Sequence, residues 1–252
     1  MTFRATMRTL TALLLALVVT LAVSPAAFAE EGGSYPDANI NVHDQASLQR
    51  GARLFMNYCV GCHSLKYLRY SQMAKGLGLT EKQVMDNLDF TGAKFRDPIV
   101  SAMPEADALK WFGKAPPDLS LEVSAKGEDW VSAYLKSFYL DPSTASGWNN
   151  TVFPNVAMPF PLWQLQGEQV AVMNPPGNGN PATVKELKLA HPGSMTPAQY
   201  DQAVRDLTAF LAYVSSPDEL SRSHIGAWVV LYLVLFTLFA LVLKKEYWKD
   251  VH

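Results

Sequence analysis

Apolar residues concentrate at the two ends of the chain, and stretches with helical periodicity lie between them. Residues 10–23 form an uncharged, largely apolar run of 14 residues, and residues 225–243 form a second run of 19. At the rise of an α-helix the second run measures about 28 Å, which is enough to cross the hydrocarbon core of a bilayer. The first run is too short for that. The two ends therefore predict different segments.

The amino-terminal run has the features of a secretory signal. Arg4 and Arg8 precede it, and the small residues of "AFA" at 27–29 follow it. A positive start, a short apolar centre and a small-residue cleavage site are typical of a signal peptide. We therefore predict that residues 1–29 are cleaved and that the following domain, residues 30–220, is exported.

The carboxy-terminal run predicts a transmembrane anchor over residues 225–243. Lys244, Lys245 and Lys249 follow it, and positive residues favour the cytoplasmic side. Residues 244–252 are then a cytoplasmic tail. Both ends predict a single-pass protein in contact with the lipid of a bacterial inner membrane, with its main domain in the periplasm. The alternative, a buried core helix, would need a polar stripe that this run lacks.

Two segments of the exported part predict long helices. The first covers about residues 45–59 and the second begins at Thr196, where Pro197 and Gln199 complete a capping box, and stops before Pro217. The apolar stripe of the first helix consists of Leu48, Ala52, Phe55 and Met56.

The region between these helices gives weaker signals. Residues 103–120 predict a short helix followed by a proline turn, and residues 127–142 predict a helix that ends at Pro142. The segment "NPPGNGNPATV" at 174–184 predicts a surface loop or a short hairpin. No sustained alternation of a strand is visible, so the predicted class is mainly α.

The charge of the exported domain argues against a nucleic-acid partner. After removal of residues 1–29 the chain keeps 19 Lys and Arg against 23 Asp and Glu, a net charge of −4. Binding to phosphate backbones requires a basic surface instead.

The only two cysteines of the chain, Cys59 and Cys62, lie in "CVGCH" and are followed by His63. This spacing is typical of covalent attachment of one haem c, with a thioether from each cysteine and the histidine as a ligand of the iron. A disulfide here would close a very small loop and stabilise little. A thioredoxin-like dithiol would need a βαβ pattern, and a zinc site would need further ligands.

An electron-transfer haem needs a sixth ligand, and Met158 is the best candidate among the methionines. It lies in "NTVFPNVAMPFPLW", a segment that prolines make rigid. Methionine ligation raises the reduction potential relative to a second nitrogen ligand. The alternative is that Met158 is an ordinary buried loop methionine.

Several motifs resemble known cytochromes. "GARLF" before "CVGCH", paired with "DLTAFL" near the carboxyl end, resembles the class I cytochrome c fold. "APPDLS", "GEDWVSAYLKSFY", "FPNVAMPFPLW" and the carboxy-terminal anchor resemble the cytochrome c1 family, the haem subunits of quinol–cytochrome c reductase (bc1) complexes. The resemblance implies a class I haem domain with long insertions and one transmembrane helix.

The resemblance also implies roles for individual residues. Cys59 and Cys62 would carry the haem, and His63 and Met158 would bind its iron. A carbonyl near Pro116 or Pro117 would accept the second ring N–H of His63. Lys126 stands where the family commonly has an arginine near a haem propionate, although a solvated surface lysine is an equal alternative.

The resemblance implies electron transfer without catalysis by this subunit alone. The haem would accept an electron from a Rieske iron–sulfur protein and pass it to a cytochrome c, with the anchor packed against cytochrome b. Two alternatives stay open: another membrane-anchored monohaem cytochrome, such as an oxidase subunit or electron shuttle, and an exported dithiol or interaction protein without haem.

Overall fold

The computed structural model describes residues 35–175 and 183–249. The predicted signal peptide and the middle of the predicted loop at 174–184 lie outside the described residues.

Helices dominate the described part of the chain, in agreement with the predicted class. In order they are α1 Gln45–Tyr58, α2 Tyr70–Leu77, α3 Glu81–Leu88, α4 Glu105–Phe112, α5 Glu122–Lys126, α6 Glu128–Lys136, α7 Trp163–Gln166, α8 Pro197–Ser215 and α9 Glu219–Tyr247. The strands are β1 Leu65–Arg69, β2 Pro98–Ile99, β3 Phe138–Leu140, β4 Trp148–Asn150, β5 Gly167–Met173 and β6 Val184–Pro192.

The core of the domain is built around the crossing of α1 and α8. Phe55 of α1 and Phe210 of α8 are fully buried, and their ring centroids lie 5.9 Å apart. Gly51 makes this close crossing possible, because a Cβ built on it would lie 2.0 Å from the backbone oxygen of Asp206. The same Asp206 turns its carboxylate towards Arg50, whose Nε lies 2.6 Å from Oδ2.

Side-chain caps define where the two long helices begin. Asp44 Oδ1 accepts hydrogen bonds from the backbone N–H groups of Ala46 and Ser47 at the start of α1. At the start of α8, Thr196 and Gln199 form the reciprocal capping box that the sequence predicts. These bonds satisfy N–H groups that a helix leaves unpaired in its first turn.

The structure also contains strands that the sequence pattern did not indicate. β3 pairs with β4 in antiparallel and with β5 in parallel orientation, and β6 extends this four-stranded sheet as the antiparallel partner of β5. The helix expected over residues 127–142 was also too long. It ends at Lys136, and the chain continues as β3.

Packing of aromatic side chains explains this early helix end. Phe138 is fully buried, and its ring stacks on Phe160 at 4.8 Å and meets Tyr134 edge-on at 5.0 Å. Extended backbone after Lys136 turns this ring into the core. Helical periodicity could not predict this, because the partner strands are short and distant in the chain.

Helix α9 contains the predicted anchor. Residues Ile225–Tyr247 form the one helix in the described ranges that is long and apolar enough to cross a membrane. None of its apolar side chains is buried against the rest of the chain. This exposure fits a helix that is covered by lipid or by other membrane helices.

Candidate haem-binding site

The cysteine motif continues α1 as a tight turn. The carbonyl of Cys59 accepts hydrogen bonds from the backbone N–H groups of both Cys62 and His63, at 3.0 and 2.8 Å. Ser101 fixes the outer side of the turn, since its hydroxyl donates to the carbonyl of Gly61 at 2.8 Å. The turn brings both sulfur atoms and the imidazole to one side of the chain.

The two thiols are not joined by a disulfide. Cys59 is buried, and burial together with the nearby Cys62 raises the pKa of its thiol to about 12. Burial also raises the pKa of Cys62. A redox dithiol acts through a thiolate with a lowered pKa, so this environment argues against the dithiol alternative.

His63 is held by a backbone carbonyl. Its Nδ1 lies 2.8 Å from the carbonyl oxygen of Pro117, which can only accept, so Nδ1 carries the proton. Burial lowers the pKa of the imidazole, and the bond to Pro117 offsets only part of this effect. His63 is therefore neutral, and the lone pair of Nε2 is free to bind a metal.

The segment that carries Pro117 is tied to β1. The Asp118 carboxylate accepts the N–H of Lys66 at 2.9 Å, and the buried hydroxyl of Ser120 accepts the N–H of Tyr67 at 3.2 Å. The N–H of Leu119 donates to the carbonyl of Ser64 at 2.9 Å. The motif "PPDLS" thus positions the carbonyl that orients His63.

Met158 lies across from this motif in an irregular segment that two asparagines fix. Asn150 Oδ1 accepts the N–H groups of Val152 and Phe153, and Asn149 Oδ1 accepts the N–H of Asn155. Both asparagines are buried. Their side chains replace the regular backbone bonds that the prolines of this segment prevent.

The thiols, the imidazole and the thioether line one cavity of about 360 Å³. Both cysteines, His63, Pro117, Lys126 and Met158 contribute to its wall. The remaining wall is mainly apolar and includes Ala115, Leu119, Val131, Leu135, Val156, Pro159, Pro161, Leu207 and Leu211. A thiol pair, a neutral imidazole and a thioether around one apolar cavity are the donor set that an attached haem requires.

The charged side chains of the wall are Lys114, Lys126 and Glu122. Lys126 places its ammonium 5.8 Å from the ring centre of Trp130, and Lys114 stands 5.6 Å from that of Phe153. Our sequence analysis missed Lys114. The only signal for it was its position directly before "APPDLS".

Sequence reasoning also missed Tyr134. Its hydroxyl donates to the sulfur of Met158 at 3.3 Å, and burial raises its pKa, which keeps the phenol protonated. Helical spacing marked Tyr134 only as one aromatic residue among several in α6.

Comparison with known proteins decides the family. The model of the Cytochrome C1 family matches residues 36–251. The chain belongs to the cytochrome c1 family. Among its relatives, cytochrome c1 of Allochromatium vinosum is 50% identical over 241 residues, which cover 94% of this chain and 99% of that protein.

Two other relatives carry different names. The ammonia monooxygenase gamma subunit of Nitrosomonas europaea is 41% identical over 85% of this chain and 88% of its own length. Cytochrome b/c1 of Bradyrhizobium diazoefficiens is 26% identical over 89% of this chain, a match that covers 37% of that longer protein.

Membership of the cytochrome c1 family establishes the general role. The protein is a haem-bearing electron-transfer subunit of the bc1 complex and carries one covalently bound c-type haem. It is membrane-anchored, and α9 fits a single-pass anchor.

Proposed function

We propose that this cytochrome c1 accepts one electron from a Rieske iron–sulfur protein and passes it to a cytochrome c. The observation that carries the proposal is the convergence of His63, Met158 and both thiols on one apolar cavity. Two committed axial ligands leave no open position on the iron for a substrate, and such a site suits electron transfer.

Five residues have a defined part in this proposal. Cys59 and Cys62 would hold the haem through thioether bonds, and His63 Nε2 and Met158 Sδ would bind its iron. Bound there, the haem supplies a one-electron couple between ferric and ferrous iron. The carbonyl of Pro117 holds His63 in one tautomer and strengthens it as a ligand.

The wall of the cavity also favours a high reduction potential. Leu207, Leu211 and the prolines beside Met158 line the cavity with apolar surface. A dry, weakly polar surrounding disfavours the additional charge of ferric iron. We assign Lys126 and Lys114 as positive charges that offset the haem carboxylates.

The topology follows from the two ends of the chain. We propose that residues 1–29 are removed, that residues 30–220 form the periplasmic domain, and that residues 244–252 are cytoplasmic. The exposed apolar surface of α9 supports packing of residues 225–243 against cytochrome b within the lipid bilayer.

A Met158→Ala variant tests the ligand assignment. The covalent haem should remain, and its reduction potential should fall by about 0.1 V or more, because axial ligands set haem potentials over roughly 0.8 V. Potentiometric titration of membranes, with a pyridine haemochrome assay for covalent haem, measures both. Met173→Ala, which changes an exposed methionine of β5, is the control. An unchanged potential in Met158→Ala would assign the sixth ligand elsewhere.

The relative named as an ammonia monooxygenase subunit supports a second role beside that in the bc1 complex, electron transfer to another membrane oxidoreductase. Purification of the chain from membranes tests this role. The bc1 complex should contain the chain together with a cytochrome b and a Rieske protein. A second pool of the chain bound to a different oxidoreductase would favour the additional role.

A further inference from the structure

The Tyr134 hydroxyl lies outside the proposed ligand set and contacts one of its members. It donates a hydrogen bond to Met158 Sδ at 3.3 Å. A thioether sulfur is a weak acceptor, so other contacts are needed to fix the direction of the phenol. The surroundings of Tyr134 show such constraints on both its ring and its backbone.

Two aromatic neighbours fix the ring of Tyr134. Trp130, one turn earlier in α6, stacks on it at 5.0 Å with planes only 8° apart. Phe138 meets it edge-on at 5.0 Å with an interplanar angle of 72°. The ring cannot turn away from Met158 without losing both contacts, so the direction of the hydroxyl is set before any ligand binds.

One buried asparagine ties the donor to the segment that carries the acceptor. Asn150 Nδ2 donates to the carbonyl of Tyr134 at 2.8 Å, while Asn150 Oδ1 accepts the N–H groups of Val152 and Phe153. Asn150 is only 1% exposed. The same side chain therefore fixes the end of α6 and the beginning of the methionine segment relative to each other.

We propose that Tyr134 is a positioning residue that orients the Met158 sulfur and raises the reduction potential of the haem. The inference rests on the proposed ligation by Met158. With one lone pair of Sδ accepting the phenol proton, the other lone pair would be available to bind the iron. The hydrogen bond also withdraws electron density from the sulfur, which weakens its donation to ferric iron more than to ferrous iron.

The Tyr134→Phe variant removes the hydroxyl and keeps the stacked ring. The equilibrium constant for haem reduction by a donor of fixed potential should fall about three- to tenfold, the range of one hydrogen bond. For one electron this is a decrease of about 28 to 59 mV. The covalent haem content should not change. The measurement is a potentiometric titration of the c-type haem in membranes that carry the whole complex.

Tyr200→Phe is the matched control. The Tyr200 hydroxyl is also buried and donates to α6, at the carbonyl of Leu135, 2.8 Å away. Its removal loosens the same helix without removing a donor to Met158. The potential should stay at the unmodified value in Tyr200→Phe. An equal decrease in both variants would show a general structural effect and overturn the proposal, as would an unchanged potential in Tyr134→Phe.

Two further variants keep the result interpretable. Tyr134→Leu retains an apolar, helix-forming side chain and should lower the potential as well, which covers the case that Tyr134→Phe does not mature. In a Met158→Ala background, Tyr134→Phe should produce no additional shift. If Met158→Ala alone leaves the potential unchanged, the ligation itself is wrong, and the role of Tyr134 falls with it. If only Tyr134→Phe is without effect, the ligation stands.

Discussion

At the scale of single residues, Asp206 shows how strongly the core depends on one carboxylate. Its side chain is 3% exposed and accepts hydrogen bonds from Arg50, Ser47 and Gln202. Burial raises the pKa of this carboxyl. The three donors together lower it by more, so its pKa lies below the ordinary value. Asp206 is therefore ionised in the folded domain at every physiological pH.

Protonation of Asp206 should weaken the fold in acid. Because the folded pKa lies below the unfolded value of about 4, the contribution to stability is complete above pH 4 and is lost as pH falls through the folded pKa. Asp206→Asn should lower the free energy of unfolding by about 2 kcal/mol at pH 7. This is less than the usual cost of breaking a buried ion pair, because Arg50 is half exposed and water screens its charge.

Thermal unfolding followed by circular dichroism between pH 3 and pH 7 checks this prediction. Asp86→Asn is the control, since its partner Lys82 is exposed on the surface of α3. A variant at Asp206 that keeps the acid dependence of the unmodified protein would contradict it.

At the scale of elements, the distance between α1 and α8 determines how the haem motif is held. The crossing brings Gly51 against Asp206 and Phe210, and the motif begins directly where α1 ends. Leu207 and Leu211, which directly follow Asp206 and Phe210 in α8, line the haem cavity. The packing that buries the aromatic core therefore also places one wall of the site.

Gly51→Ala should separate these two helices. The new Cβ would meet the Asp206 carbonyl oxygen at 2.0 Å and Phe210 Cβ at 2.7 Å, and neither atom belongs to a flexible side-chain end. We expect a loss of about 3 kcal/mol or more in stability, although alanine favours a helix over glycine by about 1 kcal/mol.

Denaturant unfolding and the yield of covalent haem measure the effect. Gly226→Ala is the matched control, because this glycine is also helical and no atom lies within 4 Å of its added Cβ. Normal stability in Gly51→Ala would show that the helices can shift without loss.

At the scale of the whole molecule, the exported domain and the anchor are distinct in composition. The domain buries its own apolar core, whereas the apolar side chains of residues 225–247 in α9 are exposed. A surface of this kind is stable in lipid and aggregates in water. We therefore expect the anchor to be required for attachment to the membrane and not for folding of the domain core.

A chain that ends at Ser216 should keep its haem and leave the membrane. The last core residue of α8, Val214, precedes the cut, so folding of the haem cavity should persist. Haem-stained gels of membrane and periplasmic fractions measure the distribution. A chain that also lacks residues 1–29 is the control and should carry no covalent haem. Loss of haem from the exported short chain would show that α9 contributes to the fold.

The limits of sequence reasoning follow from the range of each interaction. The start of α8 could be predicted because a capping box is local, and the cysteine motif could be interpreted because its spacing is fixed by chemistry. The four-stranded sheet could not be predicted, because β3 and β4 have only three residues each and find their partners through tertiary packing. The bond between Tyr134 and Met158 joins residues 24 positions apart, and no periodicity indicates it.

The link between α8 and α9 has a consequence for the reach of the protein. It consists of residues 216–218, and the apolar span begins six residues into α9. The end of α8 can therefore stand no more than about 23 Å from the start of that span. With so short a link the haem domain can rotate but cannot move away from the membrane, so its electron partners must reach the haem close to the membrane surface.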